Sequence, residues 1–405
     1  MKTNVVITGL SCATAYGLDV VDMLRGIESD RMVLRAEYGH VRETAITNVG
    51  IIDREQNALK SLRKDERNDF CGTLLTYLAA RAFADAGLAA PSGEDELPLI
   101  LASCYGNQLD YFEIFQFGKN LDIHTDSPAV RDLKLLRFRE DAITLQLARH
   151  FGCSVRKFCV GMQCASSILA ISTAVCMIED GREDYVLVGA YDFFEPATYY
   201  ALHAAGVIDA THTDPYSVRH NGFNVADGAG FLVLESEEAA CKRGAKRIYA
   251  RIRASALACE STEGNPSVRR VTRVVEECLK KADLKPSDLG LISPHGCGVP
   301  AIDRCESIAL RRALGPCVDE IPFAYFTNYT GYAFAASAFL DLAALLTGMQ
   351  SGHWPKGCAP SEPEEVSRFR FLCQPEPCGH EENILKLKIG YSGAAGALIL
   401  TGVRP

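Results

Sequence analysis

The run Tyr185-Val-Leu-Val-Gly-Ala-Tyr-Asp192 has no polar side chain between Val186 and Ala190. A strand that does not alternate must hide both faces, so helices are expected on both sides of its sheet. Gly228-Ala-Gly-Phe-Leu-Val-Leu-Glu235 repeats the pattern, as do Val5 to Leu10 and Leu97 to Ser103. Helical spacing between these runs predicts helices from Asp19 to Ser29, Phe70 to Ala86, Val130 to Phe151 and Ser166 to Asp180. Residues 30 to 66 read as polar and irregular. A second series of strands and helices then repeats the style. It predicts strand Arg247 to Ala258, helix Ser267 to Ala282, strand Leu289 to Pro294 and helix Ala301 to Leu314. A short strand near Phe323, helix Ala333 to Gly348 and strands Ile384 to Tyr391 and Gly396 to Thr401 follow. Two α/β runs in similar order point to an internal duplication around stacked sheets, divided into residues 1–244 and 245–405.

Within the first run, Val160-Gly-Met-Gln-Cys-Ala-Ser-Ser-Ile-Leu-Ala-Ile171 joins a short apolar strand to a helix that stops at Gly181. Cys164 therefore falls on a tight strand-to-helix turn, where free backbone N–H groups and the helix dipole favour a thiolate. A thiolate held there is a nucleophile suited to acyl transfer. Most of the sixteen cysteines are expected to be buried structural thiols. The turn and the small residues Ala165, Ser166 and Ser167 set Cys164 apart.

The cysteines include no C-x-x-C pair and no spacing typical of zinc ligands, so no metal is expected. Reduced thiols and an N-terminus that enters a strand at once, without a signal-peptide core, predict a cytoplasmic protein. A net charge of -9 argues against nucleic acid as the main partner. An acidic partner would need a local basic patch, and Arg131, Lys134, Arg137 and Arg139 offer one. The longest apolar run, Tyr332 to Met349, is Ala-rich and interrupted by Asp341, which suits a buried helix and not a membrane span. Residues 104 to 127, with Tyr105, Tyr111, Phe112, Phe115 and Phe117, form a long aromatic loop or broken helix of the kind that carries function.

Three further turns concentrate small and polar residues. Ser293-Pro-His-Gly-Cys-Gly-Val-Pro300 leaves a buried strand and enters a helix, placing His295 to protonate or polarise a substrate carbonyl. Phe326-Thr-Asn-Tyr-Thr-Gly-Tyr332 makes a similar turn before another helix. Ile389-Gly-Tyr-Ser-Gly-Ala-Ala-Gly396 is a hairpin whose small residues admit a close ligand.

Together these motifs resemble the β-ketoacyl-acyl-carrier-protein synthases of the thiolase superfamily, from Val5 to Leu400. Cys164-Ala-Ser-Ser resembles the family's nucleophile elbow. His295-Gly-x-Gly-x-Pro, followed by Asp303 and Glu306, resembles its first histidine motif. Asn221-Gly-Phe-Asn-Val-Ala-Asp-Gly-Ala-Gly230 is similar to its D-G-F-V-x-G-E-G-A-G segment, with Asp227 for Glu. The resemblance implies an α/β, duplicated thiolase fold in α-β-α-β-α layers, usually dimeric. It also implies a cysteine that accepts acyl groups from carrier-protein phosphopantetheine, with no bound cofactor. The backbone N–H groups of Cys164 and Tyr391 would form an oxyanion hole. Departures accompany the matches. Thr327 and Tyr332 stand where the family's K-S-x-x-G-H has lysine and histidine. Asp341 stands for the glutamate that pairs with that lysine, and Tyr391 replaces a gatekeeper phenylalanine. With the second histidine absent, three readings stay open. They are a condensing or acyl-transferring enzyme of type II fatty-acid or polyketide synthesis, a chain-length-factor-like non-condensing partner of a ketosynthase heterodimer, and an acyltransferase to an alcohol or amine. The chain is expected to form a homodimer or a heterodimer with another ketosynthase-like chain.

Overall fold

The computed structural model describes residues 3–35, 39–41, 44–62, 70–105, 141–259, 266–391 and 393–404. Its main sheet takes five strands from the first part of the chain. They are β1 (Val5–Ala13), β2 (Glu96–Ala102), β3 (Ser154–Val160), β4 (Tyr185–Asp192) and β5 (Gly228–Ser236). Six come from the second part: β6 (Ala250–Cys259), β7 (Leu289–Ser293), β8 (Pro322–Phe323), β9 (Arg370–Phe371), β10 (Asn383–Ile389) and β11 (Ala394–Gly402). The order is β9-β8-β7-β10-β11-β6-β1-β5-β4-β2-β3. Read outward from the centre, β1-β5-β4-β2-β3 and β6-β11-β10-β7-β8 have the same connectivity. The same neighbours are parallel and antiparallel in each. This is the duplication expected from the sequence. The halves meet along three antiparallel pairs, Val5↔Ile252, Val6↔Arg251 and Ile7↔Ala250. Within each half the central strand shifts register against its neighbour, between Ile7 and Gly9 on β1 against β5 and between Ile252 and Ala254 on β6 against β11.

The principal helices are α1 (Val20–Glu28), α2 (Phe70–Ala86), α3 (Asp141–Phe151), α4 (Ser166–Glu179), α5 (Pro196–Ala204), α6 (Val268–Ala282), α7 (Pro300–Leu314) and α8 (Ser337–Gln350). Strand parity sorts their contacts into layers. Leu97, Leu99, Leu101, Leu187, Phe231 and Val233 pack outward onto Leu74, Leu78 and Phe83 of α2. Their alternates Ile100, Val186, Val188, Leu232 and Leu234 pack inward with Ile168 and Ile171 of α4. That inner cluster also holds Leu342, Leu345 and Leu346 of α8 and Ile384, Leu398 and Leu400 of the second half. Leu385, Leu387, Ala397 and Ile399 point outward to Val271 and Val274 of α6 and Ile302 and Leu310 of α7. The result is α-β-α-β-α, with α4 and α8 enclosed between the halves. Every residue of α8 except Thr347 and Gln350 is buried, which explains its unbroken apolar sequence. Among the described residues no helix is long and apolar enough to cross a membrane.

Local structure adds to the sequence reading in three places. The stretch read as irregular contains short strands (Leu34–Arg35 with Val49–Gly50, Gly39–Val41 with Thr44–Ile46) and a helix, Asn57–Leu62. Helix α5 occupies what reads as loop; Glu195 caps it by accepting from the Thr198 N–H at 2.8 Å. The turn Phe334–Ala336 precedes α8, so that helix starts at Ser337. Of the aromatic stretch only Cys104 and Tyr105 are described, and of the helix read over Val130 to Phe151 only Asp141–Phe151. The basic residues Arg131, Lys134, Arg137 and Arg139 lie outside the described residues.

Strand β1 crosses α2 at Gly9, where an added Cβ would lie 2.3 Å from the Ala82 carbonyl oxygen and 2.7 Å from the Ala86 Cβ. Gly9→Ala is therefore expected to destabilise the fold by about 1–3 kcal/mol, the usual range for overpacking. A lowered urea midpoint with unchanged slope checks this.

Candidate active site

Strand β3 ends at Val160 and α4 begins at Ser166, so the chain turns sharply between them. Gln163 takes a φ of 50° to make that turn. Ser166 Oγ accepts the Met162 N–H at 2.7 Å, and the Ala165 and Ser166 N–H groups donate to the Met162 and Gln163 carbonyls at 3.1 and 2.9 Å. These bonds hold Cys164 just ahead of α4, against a largely apolar cavity of about 270 Å³. His295, Tyr332 and Tyr391 line the same cavity, together with Cys104, Tyr105, Phe223 and Phe334.

The His295 turn is braced from α7. Glu306 accepts the His295 N–H at 2.6 Å, the Gly296 N–H at 3.1 Å and the Tyr216 hydroxyl at 2.5 Å. Asp303 accepts the Cys297 N–H at 3.3 Å, the Gly298 N–H at 3.1 Å and the Tyr216 N–H at 3.1 Å. His220 Nδ1 lies 3.2 Å from the same carboxylate. Burial pushes Glu306 up to about 7 in spite of its donors. Gly298 has a φ of 89°, and a Cβ there would sit 2.3 Å from the Gly222 carbonyl oxygen, so this position needs glycine. The Ile389 N–H donates to His295 Nδ1 at 3.3 Å, which assigns the ring proton to Nε2. Nε2 lies 3.5 Å from the Tyr332 hydroxyl. Burial, reinforced by Lys388 and Lys386, holds His295 well below the usual histidine range, so the ring is neutral near pH 7. A neutral ring fits carbonyl polarisation better than full proton donation.

Tyr332 is fixed by its backbone: its N–H donates to the Asn224 carbonyl at 2.7 Å and its carbonyl accepts from Ala226 at 3.1 Å. Its ring packs on Phe223 and Phe334, with centroids 5.0 and 5.3 Å away. Burial first, and then negative charge at Cys164, raises the phenol well above its ordinary value. Thr327 lies behind this group and donates to the Gly296 carbonyl at 2.9 Å, bracing the His295 turn. Asp341 on α8 pairs with Lys386 at 2.6 Å, and Lys388 lies 3.7 Å from it. Lys386 also donates to Ser293 Oγ and the Pro294 carbonyl at 3.0 and 2.9 Å, and burial lowers it to about 8. Tyr391, 52% exposed, stands at the cavity mouth on a turn closed by the Gly390 N–H to the Ala394 carbonyl at 2.8 Å.

The Cys164 thiol is shifted down, foremost by a hydrogen bond from Cys104, then by Tyr332 and by the charge of Lys388; burial opposes them. Cys104 itself is raised, chiefly by burial, and remains the donor. Behind Cys104, Asp192 accepts from Ser103 Oγ (2.6 Å), the Cys104 and Tyr105 N–H groups (3.0 and 3.3 Å) and Ala335 N–H (2.8 Å). Asp192 thereby ties the first half's loop to the turn before α8, and burial raises it to about 6. Asp227 of the Gly-rich segment accepts from Phe194 and Ile52 N–H at 2.6 and 2.9 Å, which supports β5 without entering the cavity. Cys104, Asp192, Lys386 and Lys388 were not singled out by sequence reasoning. For the lysines the available signal was a pair of charges two residues apart inside Asn383-Ile-Leu-Lys-Leu-Lys-Ile389.

The chain matches the families described as beta-ketoacyl synthase, N-terminal domain, over residues 2–240 and beta-ketoacyl synthase, C-terminal domain, over residues 249–359. It belongs to the β-ketoacyl synthase family. Among its relatives, the tetracenomycin polyketide synthase ketoacyl synthase alpha subunit of Streptomyces glaucescens is 28% identical over 251 residues, 60% of this chain and 59% of that one. The chain thus spans under two thirds of that relative. Nodulation protein E of Rhizobium sp. (strain N33) is 31% identical over 371 residues, 90% of each chain. The structure of the ishigamide ketosynthase/chain length factor covers the whole of both chains at a TM-score of 0.86 and 20% identity, a likeness of fold. These agree with the duplicated thiolase fold of the β-ketoacyl synthases.

In this member, brief iodoacetamide treatment near neutral pH is expected to label Cys164 ahead of the other fifteen cysteines. Cys12, Cys104, Cys278 and Cys297, all raised by burial, should stay inert. Peptide mapping reads the outcome; labelling elsewhere with Cys164 untouched would reject it as the nucleophile.

Proposed function

We propose that this β-ketoacyl synthase is an acyl-transferring enzyme of a type II fatty-acid or polyketide pathway. The observation that carries this reading is the meeting of a lowered Cys164 thiol, a neutral His295 bearing its proton on Nε2, and the Tyr332 hydroxyl at one apolar cavity. The Cys164 thiolate attacks the carbonyl carbon of an acyl thioester on carrier-protein phosphopantetheine. A new C–S bond forms, the carbonyl electrons move to oxygen, and collapse of the adduct expels the carrier thiolate, which takes up a proton from solvent. The backbone N–H groups of Cys164 and Tyr391 receive the oxyanion. His295 Nε2–H and Tyr332 Oη–H hold a second carbonyl for condensation or transfer, and Asp303, Glu306 and Thr327 keep the His295 turn in place. No bound cofactor is required, and a cytoplasmic location suits the carrier. The 1–244 and 245–405 units fold as one body, the first bringing the nucleophile and the second His295, Tyr332 and Tyr391.

The carrier protein is one partner and a second ketosynthase-like chain, identical or not, the other. The outermost strand β3, with Phe158 45% exposed, offers an edge on which a second copy can extend the sheet. Light scattering should give twice the monomer mass, alone or mixed with a neighbouring ketosynthase.

A second reading, a chain-length-factor-like partner, is favoured by Tyr332 and Thr327, which stand for the family's histidine and lysine, and is opposed by the retained Cys164. A phenol donates one hydrogen bond but exchanges no proton near pH 7. Loss of one such donor costs about a hundredfold or more in rate. Intact mass should therefore show an acyl group on the chain after incubation with acyl-carrier protein, and none in Cys164→Ala. CO2 release from malonyl-carrier protein should be slow, and faster in Tyr332→His or in Thr327→Lys combined with Tyr332→His. No acylation of the wild type would favour the partner reading. Fast CO2 release unimproved by either change would show that Tyr332 suffices.

A further inference from the structure

Lys386 and Lys388 sit two residues apart on β10, so both side chains enter the layer between the halves, where each is at most 1% exposed. Two buried ammonium groups are costly unless the fold provides negative charge for both. Asp341 answers the first: it pairs with Lys386 at 2.6 Å, and Ser293 Oγ and the Pro294 carbonyl complete that ammonium's contacts. Lys388 is differently placed. Its Nζ is 3.7 Å from Asp341 and 5.5 Å from the centroid of the Tyr332 ring, on the ring face. Tyr332 in turn reaches His295 Nε2 and Cys164, and the charge of Lys388 acts on both of those groups.

The other ionisable groups around the lysines are already engaged. Glu306 of α7 is held by two N–H groups and Tyr216, and Asp192 of β4 by Ser103, Cys104, Tyr105 and Ala335. His295 is neutral, and Cys104 and Cys297 are raised thiols. Apart from Asp341, Cys164 is the group near Lys388 whose negative charge its neighbours favour, Lys388 among them.

We propose that Lys388 is a positioning residue for acyl transfer, whose charge, delivered through the face of the Tyr332 ring, stabilises negative charge at the Cys164 sulfur and at a carbonyl oxygen held by Tyr332. This rests on the acyl-transfer reading of the site. A cation on the ring face draws electron density from the phenol and sharpens its hydroxyl as a donor. The same charge favours thiolate over thiol.

The test is the rate of Cys164 alkylation by iodoacetamide, followed by peptide mapping from acid to mildly alkaline pH. It is run on wild type, Lys388→Met, Lys388→Gln and Lys388→Arg, each checked for native circular dichroism. Removing the charge should move the midpoint up by about one pH unit, so that the rate near neutrality falls about tenfold. Lys388→Arg should track wild type. An unchanged midpoint in either folded uncharged variant would overturn the proposal, because a merely structural role would not move it. Tyr332→Phe and Tyr332→Leu give an independent reading if both uncharged variants unfold. Both lack the hydroxyl, and the proposal requires the higher midpoint in the variant that also lacks the ring; equal midpoints overturn it. Alkylation needs no carrier protein. A shifted midpoint without acylation would sink the acyl-transfer reading and leave the electrostatic one standing, and acylation with an unshifted midpoint would do the reverse.

Discussion

Helix α8, buried along nearly its whole length, must be covered on every side, with α4 packed beside it through its apolar face, and this requirement organises the chain. A single sheet covers one side only. The duplicated halves cover both, and the inner cluster draws Ile100 and Leu232 from one and Ile384 and Leu398 from the other. The enclosed helices start close together. Cys164 precedes α4, and Tyr332 precedes the turn into α8, so burial of the helices brings thiol and phenol to one cavity. The His295 turn arrives from β7 and is held there by carboxylates of α7.

Much of this was legible in the residues. Cys164, His295 and Tyr332 each lie where a strand or loop hands over to a helix, and such handovers have local signatures in small residues and glycines. Most strands of each half followed from apolar runs that do not alternate, but their order in the sheet came only with the structure. What escaped notice did so for physical reasons. Leu385-Lys386-Leu387-Lys388 alternates as a surface strand does, and alternation alone sends the lysines to water. Asp341, contributed by a helix 45 residues away from Lys386 along the chain, turns that polar face inward together with Ser293 and the Pro294 carbonyl. Cys104 becomes meaningful only beside Cys164, and Asp192 only once Ala335 is folded against it. Helix α5 is a short helix of weak amphipathic pattern, recognisable afterwards by Glu195-Pro196 at its start.

The electrostatics of the cavity are uneven by design of the fold. Burial raises Asp192 and Glu306, lowers His295 and raises Cys104, in each case favouring the neutral form. Cys164 moves the other way, because its neighbours donate to it more strongly than burial opposes its charge. The sulfur is thereby the one of these groups whose charged form its neighbours favour, while the surrounding groups serve as donors and braces.

The seam between the halves gives this division of labour a mechanical side. Cys164 belongs to one half and His295 to the other, and the sheet joins the halves through three residue pairs where the N-terminal ends of β1 and β6 overlap. The spacing between the Cys164 sulfur and the His295 ring is thus an alignment between two plates. A shift of one plate against the other would alter that gap with no change in either plate's own architecture, and the core they share around α8 opposes it. Ties such as Asp192 to Ala335, which cross the gap near the cavity, act as dowels that keep the plates in step.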